Sequence, residues 1–308
     1  MLSKPGASLA SAQGDVTPNP SGAGAPPAAH SLAPGLYLVA TPIGNAGDLS
    51  PRALATLAAA DLVLCEDTRV TGRLLQMHGR RRPLSSYHEH NAARVRPQVL
   101  ARLGKGASVA LASDAGTPLI SDPGYKLVRE SIDAGIAVLA VPGPSAALAA
   151  LTVSGLPTDR FLMAGFLPAA AGARRRAIEE LAGVPASLVL FEAARRLPAT
   201  LAELADRLGA RPAAVARELT KRFEEVRRGN LATLAAHFRE AGPPRGEVVI
   251  VVGPPPPQEA VDEPDALDDL LRAALASQPA SAAAAAVAAA TGRPRREVYR
   301  RALALKGE

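Results

Sequence analysis

From Leu36 onward the chain repeats one unit, a short run that is apolar on both faces followed by a stretch with helical signals. The first four runs cover residues 36–41 (LYLVAT), 62–66 (LVLCE), 108–113 (SVALAS) and 136–141 (IAVLAV). Strands with two apolar faces need cover on both sides, which is the condition of a parallel sheet packed inside helices. The intervening segments supply that cover. Residues 51–60 open with Ser50 as N-cap and Pro51 at the first helical position, a favoured helix start. Residues 70–78 end at Gly79, and 92–103 and 124–134 also read as helices. The alternation predicts an α/β domain over 36–143.

A second alternation follows. A helix over 145–154 leads to strands over 161–166, 187–192, 213–218 and 247–252, with helices over 173–183, 198–208 and 231–240. This predicts a second α/β domain over 144–253. The 308 residues accommodate both at roughly 150 residues per domain.

The flanks differ in composition. Residues 1–34 are rich in Pro, Ala, Gly and Ser without an apolar period, the signature of a disordered tail. They hold one basic residue, Lys4, and no apolar core of a secretory leader. The longest uncharged run, 134–158, is broken by Gly135, Pro142-Gly143-Pro144 and Gly155, so no membrane span is expected. Residues 254–264 read as a Pro-rich, acidic linker. Residues 265–308 contain an Ala-rich helix over 280–290, the turn Thr291-Gly292-Arg293-Pro294, and a basic stretch with Arg295, Arg296, Arg300 and Arg301. Two readings fit: a module like a helix-turn-helix, or a helical tail that caps the second domain.

Charge and cysteine content narrow the function. The balance is +6, with 35 basic and 29 acidic residues, and the pI is 9.9; this permits nucleic-acid binding without requiring it. Five Phe, four Tyr and no Trp supply few surfaces on which bases could stack. A single cysteine, Cys65, excludes a disulfide framework and a multi-cysteine zinc site, and a reducing cytoplasm fits.

Three Gly/Pro-rich loops follow expected strands: Thr41-Pro42-Ile43-Gly44-Asn45, Ser113-Asp114-Ala115-Gly116-Thr117-Pro118 and Val141-Pro142-Gly143-Pro144-Ser145. Ligands of α/β sheets bind beyond the carboxyl ends of strands, and glycine lets the backbone approach a ligand. Neither a Gly-x-Gly-x-x-Gly nor a Gly-x-x-x-x-Gly-Lys-Ser/Thr pattern is present, which argues against a dinucleotide oxidoreductase and a P-loop nucleotidase. Asp114 is the stronger ligand candidate of its loop, and Asp122, just before Pro123-Gly124, reads as a helix cap. In Tyr87-His88-Glu89-His90-Asn91, two imidazoles and one carboxylate are too few for a metal site, so no metal is expected. On a strand, His88 and His90 would share a face, as general base or substrate contact. Glu66 and Asp67 either cap the next helix or line the cleft. Arg174-Arg175-Arg176 and Arg227-Arg228 are phosphate contacts or a solvated face.

Seven segments in order then carry a resemblance: LYLVATPIGNAGDLSPRAL (36–54), LCEDTRVTGRLL (64–75), YHEHN (87–91), VALASDAGTPLISDPGYKLVRE (109–130), PGPSAALAAL (142–151), SGLPTDRF (154–161) and VARELTKRFEEV (215–226). Together they resemble the ribosomal RNA small subunit methyltransferase I family, a branch of the tetrapyrrole methylase superfamily. The likeness covers about 36–253, and 265–308 is similar to the family's helical C-terminal module. It implies two α/β domains with S-adenosylmethionine in the cleft between them, a homodimer, and methylation of the ribose 2′-oxygen of a cytidine in the decoding region of 16S rRNA, within the 30S subunit. It implies cofactor contacts at Pro42, Asp114 with Thr117, Ser145 with Ala146, Phe191 and Leu219. Candidate general bases are Glu66, Asp67, His88, Glu89 and His90. Arg69, Arg174, Arg175, Arg176 and Lys221 are candidate RNA contacts.

The chain departs from the family pattern at Glu192-Ala193-Ala194-Arg195-Arg196, where Glu-Ser-Pro-His-Arg is common, so no catalytic role is carried over there. The rival readings are a tetrapyrrole C-methyltransferase acting on cobalamin or sirohaem precursors and a non-enzymatic ribosome-binding factor.

Overall fold

The computed structural model describes residues 32–256 and 264–306. The tail expected over 1–34 lies outside these residues except for its last three, as does most of the linker expected over 254–264.

The first half builds one sheet from β1 (Gly35–Val39), β2 (Leu62–Cys65), β3 (Leu84–Ser86), β4 (Ser108–Ala112) and β5 (Val138–Val141). The strand order is β3-β2-β4-β1-β5, and every pairing is parallel. The connections are α1 (Pro51–Ala59), α2 (Thr68–Met77), α3 (Glu89–Leu103) and α4 (Tyr125–Asp133). Both faces are covered. Tyr37, Val39, Val63 and Cys65 pack with Leu57 of α1 and Leu75 of α2. Leu36, Leu64, Val109 and Leu111 pack with Val99 and Leu103 of α3 and Leu127 of α4. Successive side chains of a strand alternate between faces, so a strand apolar throughout serves two helical layers.

Local signals start the helices. Ser50 Oγ accepts from the Ala53 amide at 3.1 Å, with Pro51 at the first position. The Asp67 carboxylate caps α2, accepting from the Arg69 amide at 2.8 Å. His88 and His90 do not share a strand. Asn91 Oδ1 accepts from the His88 amide at 2.9 Å, and α3 begins at Glu89.

The second half begins with α5 (Ala146–Ser154) and forms a mixed sheet from β6 (Phe161–Phe166), β7 (Ser187–Ala193), β8 (Pro212–Arg217), β9 (Glu225–Asn230) and β10 (Glu247–Val252). Its order is β6-β7-β10-β8-β9; β6 and β7 are parallel and the remaining pairs antiparallel. Helices α6 (Ala171–Ala182), α7 (Leu197–Leu208) and α8 (Leu231–Ala241) cover one face, with Ile178, Leu201, Leu204, Leu234 and Phe238 in its core. The other face packs on α5: Ala147, Ala150 and Leu151 meet Val189, Ala216, Val249 and Val251. Ile43, from the loop after β1, joins that same cluster, so the two halves share a core beside α5.

The chain ends in three helices, α9 (Pro264–Leu275), α10 (Ala280–Thr291) and α11 (Arg295–Lys306). They bury their own cluster, including Leu271, Ala284, Val287, Val298 and Ala302.

Candidate active site

Strand order decides where the site forms. β4, β1 and β5 are neighbours, so the three Gly/Pro-rich loops leave one edge of the first sheet side by side. Thr41 and Gly116 form a bridge between the first two loops. Thr41 Oγ1 donates to the Ser113 carbonyl at 2.8 Å, and Thr117 Oγ1 to the Pro144 carbonyl at 3.1 Å, which ties the second loop to the third. Gly116 has φ +84°, and a Cβ there would stand 3.4 Å from Ile43.

These loops face the second sheet across a cavity of about 430 Å³, within the range of small-molecule sites. The apolar part of its wall comes from Ile43, Phe166, Phe191, Ala216, Leu219 and Val249. Thr117, Ser121, Asp122 and Ser145 supply polar groups. Ala146 and Ser145 at the start of α5 also line it, so the positive end of that helix faces the cavity.

Among the described residues, four other than glycine hold left-handed backbone: Leu119, Ser121, Glu218 and Thr220. All four lie in the two loops that line the cavity, 117–124 and 218–221. Such conformations cost on the order of 1–3 kcal/mol each and persist where surrounding structure imposes them. Around Leu219 the clamp is electrostatic. Lys221 Nζ donates to Glu218 Oε1 and to Glu247 Oε2, each at 2.8 Å, and the Glu247 amide donates to Glu218 Oε1 at 3.0 Å. The Lys221 stem lies against Gly44, where a Cβ would meet its Cγ at 2.5 Å. The clamp therefore joins the second sheet to the first loop.

Carboxylates gather beyond β2 and β4. The Asp122 carboxylate accepts from Ser113 Oγ. Asp114 Oδ1 accepts from the Asp67 amide at 3.0 Å. Burial pushes the Asp122 carboxyl above the usual range, with Asp114 adding to it against the Ser113 hydrogen bond. Burial does the same at Asp114, reinforced by Asp67 and opposed by the bond from its amide. Glu66 is raised by burial, then by Asp114 and Asp122, with His88 opposing. Asp67 behaves oppositely: the hydrogen bond from the Arg69 side chain, with that from its amide, lowers its carboxyl to about 2.

Of the expected cofactor contacts, Thr117, Ser145, Ala146, Phe191 and Leu219 line the cavity. Pro42 and Asp114 stand just outside its wall, Pro42 between the wall residue Ile43 and the bridging Thr41. Asp122 corrects the expectation of a helix cap. Gly124 occupies the N-cap of α4, and the Asp122 carboxylate is drawn to Ser113 and the cavity instead. Ile120, Ser121, Gly246 and Val248 also line the wall and were not anticipated, because no local pattern places residues 246–248 opposite residues 120–122.

The candidate bases divide. Glu66 borders a small recess that shares Asp122 with the cavity. His88 lies beside it at the start of α3, its ring 5.9 Å from that of His90. Glu89 is exposed on the first turn of α3. Among the described residues no group of three His, Cys, Asp or Glu side chains could hold a metal.

Two expected RNA contacts are corrected. Arg174 is buried and donates twice to Glu203, at 2.8 and 2.6 Å, and to the Ala169 carbonyl at 3.0 Å, so its guanidinium is spent inside the fold. Lys221 is held by the two carboxylates of the clamp. Arg175 and Arg176 are exposed. The Arg69 side chain is 89% exposed and paired with Asp67.

Comparison with known proteins extends these observations. Residues 35–235 match the family described as Tetrapyrrole (Corrin/Porphyrin) Methylases, and residues 260–306 match the RsmI C-terminal HTH domain. The chain is 55% identical over 279 residues to the ribosomal RNA small subunit methyltransferase I of Mesorhizobium japonicum, covering 90% of this chain and 94% of that protein. It is 53% identical over 280 residues to the protein of the same name from Erythrobacter litoralis, covering 90% and 98%. Among solved structures, diphthine synthase superimposes with a TM-score of 0.56 at 17% identity, covering 71% of this chain and 89% of that one. A cobalamin biosynthetic enzyme, cobalt precorrin-4 methyltransferase, does so with 0.52 at 18% identity, covering 71% and 94%. The structural likenesses establish the fold alone.

Proposed function

The chain belongs to the ribosomal RNA small subunit methyltransferase I family, and from that membership we propose that it methylates a cytidine ribose of 16S rRNA at the 2′-oxygen, using S-adenosylmethionine. The substrate form is the small subunit at its decoding region, and the place of action is the cytoplasm.

The observation that carries this reading is the cavity between the two sheets. Its chemistry fits S-adenosylmethionine. Phe166, Phe191, Ile43 and Leu219 give an apolar surface for the adenine. The positive end of α5 suits the carboxylate of the methionine part, and the wall carboxylates Glu192 and Glu247 suit its cationic and hydroxyl groups. When bound, the cofactor supplies an electrophilic methyl group on a positively charged sulfur. Everything else falls to the chain. Thr117, Ser145 and Ala146 hold the cofactor, and the clamp around Leu219 fixes the far wall. Water is kept out by the apolar side chains. Most of the acceleration comes from alignment, with the acceptor oxygen held about 3–3.5 Å from its target. Glu66, His88 and Glu89 border the side from which the nucleotide enters.

RNA is held by exposed cations. Arg69 on α2, Arg175 and Arg176 on α6, and Arg295, Arg296 and Arg300 on α11 are the contacts of this reading. The homodimer is supported by exposed apolar side chains at Leu139 on the edge strand β5, Leu148 on α5, and Phe161 and Leu162 on the edge strand β6. Light scattering on the purified protein tests it, with twice the 31.5 kDa chain mass expected. Among the described residues no helix is long and apolar enough to cross a membrane.

The deciding experiment incubates the protein and labelled S-adenosylmethionine with undermethylated 30S subunits or with naked 16S rRNA, then digests to nucleosides for mass spectrometry. We expect 2′-O-methylcytidine from subunits and little from naked RNA. No label in either, with cofactor binding verified, would overturn the rRNA assignment.

A further inference from the structure

We propose that Asp122 is the proton acceptor for the ribose hydroxyl, a catalytic residue on the wall of the cavity. The inference rests on the reading of the chain as a ribose 2′-O-methyltransferase. The reacting hydroxyl must lose its proton, and an acceptor has to stand at the cavity with a free carboxylate oxygen. Three carboxylates line the cavity: Asp122, Glu192 and Glu247. Glu247 is bound by Lys221. Glu192 is buried, receives Thr200 Oγ1 at 2.6 Å and pairs with Arg196 at 3.2 Å. Asp122 alone of the three is paired with no cation among the described residues. Its Oδ2 accepts from the neutral Ser113 hydroxyl, which orients the group and leaves Oδ1 for substrate.

Two further observations point the same way. Asp122 lines the cavity and also the adjoining recess that holds Glu66, so it stands where cofactor and nucleotide spaces meet. Its loop carries left-handed Leu119 and Ser121 just before it; backbone strain of this kind gathers where a side chain must be aimed. The surroundings suit a base. Among the described residues, Glu66 after β2 and Tyr87 before α3 share the recess with it, Asp114 on the preceding loop acts on it, and Glu192 and Glu247 line the cavity with it. Burial, with Asp114 adding to it, raises its proton affinity against the Ser113 hydrogen bond, the direction that suits a general base.

The step balances. The ribose O–H bond breaks and its proton passes to Asp122 Oδ1. The oxygen pair forms the new bond to the methyl carbon, and the pair of the broken carbon–sulfur bond stays on sulfur, which becomes neutral. The proton leaves Asp122 to solvent before the next turnover.

The test is single-turnover methylation of undermethylated 30S subunits at saturating S-adenosylmethionine, with cofactor affinity measured separately by calorimetry. Asp122→Asn keeps size and shape and can still accept from Ser113. We expect its rate to fall by about 10²–10⁴-fold, the range of general-base contributions, with cofactor Kd within threefold of wild type and the acidic limb of the pH–rate profile lost. In Asp122→Ala, added formate should restore the rate at least tenfold and saturably. A rate for Asp122→Asn within threefold of wild type overturns the proposal. So does a variant whose only defect is cofactor affinity, or an alanine variant indifferent to formate. If wild type itself makes no 2′-O-methylcytidine, the reading of the reaction fails first, and the product analysis distinguishes the two failures.

Discussion

Thr220 is β-branched and sits at φ +66°, a conformation such residues strongly disfavour. Its amide is taken by Glu224 Oε2 at 2.7 Å, and the neighbouring Lys221 is locked to Glu218 and Glu247. The strain holds Leu219 in the cavity wall. Thr220→Gly should therefore raise the stability of the protein by up to about 1 kcal/mol, strain relief being partly offset by glycine's extra chain entropy. It should also weaken S-adenosylmethionine binding severalfold, because Leu219 is no longer fixed. Denaturant unfolding and calorimetry measure the two effects, and a change in stability without a change in affinity would contradict the link. Asp114 makes the complementary case. Its carboxyl is raised in the folded state, so the fold binds this proton more tightly than the unfolded chain does. Its stability contribution is then full below the ordinary carboxylate range and is lost as pH rises through the raised value. Asp114→Asn removes that loss while keeping an acceptor for the Asp67 amide. The expected outcome is a higher Tm than wild type at pH 8 and a difference that shrinks toward pH 4.

At the scale of elements, legibility followed periodicity. β1, β2, β4 and β10 are apolar apart from the first residue of β4, Ser108, and of β10, Glu247, and each lies where that pattern places it, within a residue or two at its ends. β3 has three residues, Leu84–Ser86, too short to carry a pattern, and it forms because β2 offers it an edge. β9, with the sequence EVRRGN, reads as a charge run, yet it pairs with β8 as an outer strand whose charges face solvent or their neighbours. The three cofactor-side loops were visible as Gly/Pro punctuation. Across the cavity Leu219 came from the family resemblance alone, and 246–249 were not visible, since only the pairing of β10 with β8 and β7 brings these segments opposite the loops. Arg174 shows the same limit in one residue. Three consecutive arginines look alike in sequence, but the first turns inward because Glu203, a helix away on α7, receives it. Arg174→Ala should cost about 1.5–3 kcal/mol, the range for hydrogen bonds to charged groups. Arg175→Ala and Arg176→Ala should each stay within about 0.5 kcal/mol, as exposed substitutions do. Urea unfolding of the three variants checks this, and equal costs would refute the inward placement of Arg174.

The whole molecule combines one body built on two sheets with a smaller three-helix unit. Ile43 and α5 weld the sheets, since their side chains share a cluster with Val189, Ala216 and Val251; the cavity is thus walled by parts that cannot separate without exposing core. The terminal unit is built differently. Among the described residues its cluster draws only on α9, α10 and α11, and much of it is alanine, which buries little area per residue. Asp268 adds a staple, accepting from Arg301 Nε at 2.7 Å. A unit of this size has on the order of 3–5 kcal/mol to lose. Leu271 is fully buried in it, and a Leu→Ala change in a core costs about 2–5 kcal/mol. Leu271→Ala should therefore melt the terminal helices while leaving the main body folded, seen as a separate low-temperature transition in scanning calorimetry. Affinity for S-adenosylmethionine should not move, because among the described residues none of α9–α11 lines the cavity. Binding to the 30S subunit should weaken, and the slope of its logarithm against that of salt concentration should flatten. About 0.7 to 0.9 is lost for each phosphate contact given up, so loss of Arg295, Arg296 and Arg300 would remove roughly two to three units of slope if each meets one phosphate. An unchanged salt slope, with the terminal helices shown to be melted, would place the RNA-binding cations on the two-sheet body alone.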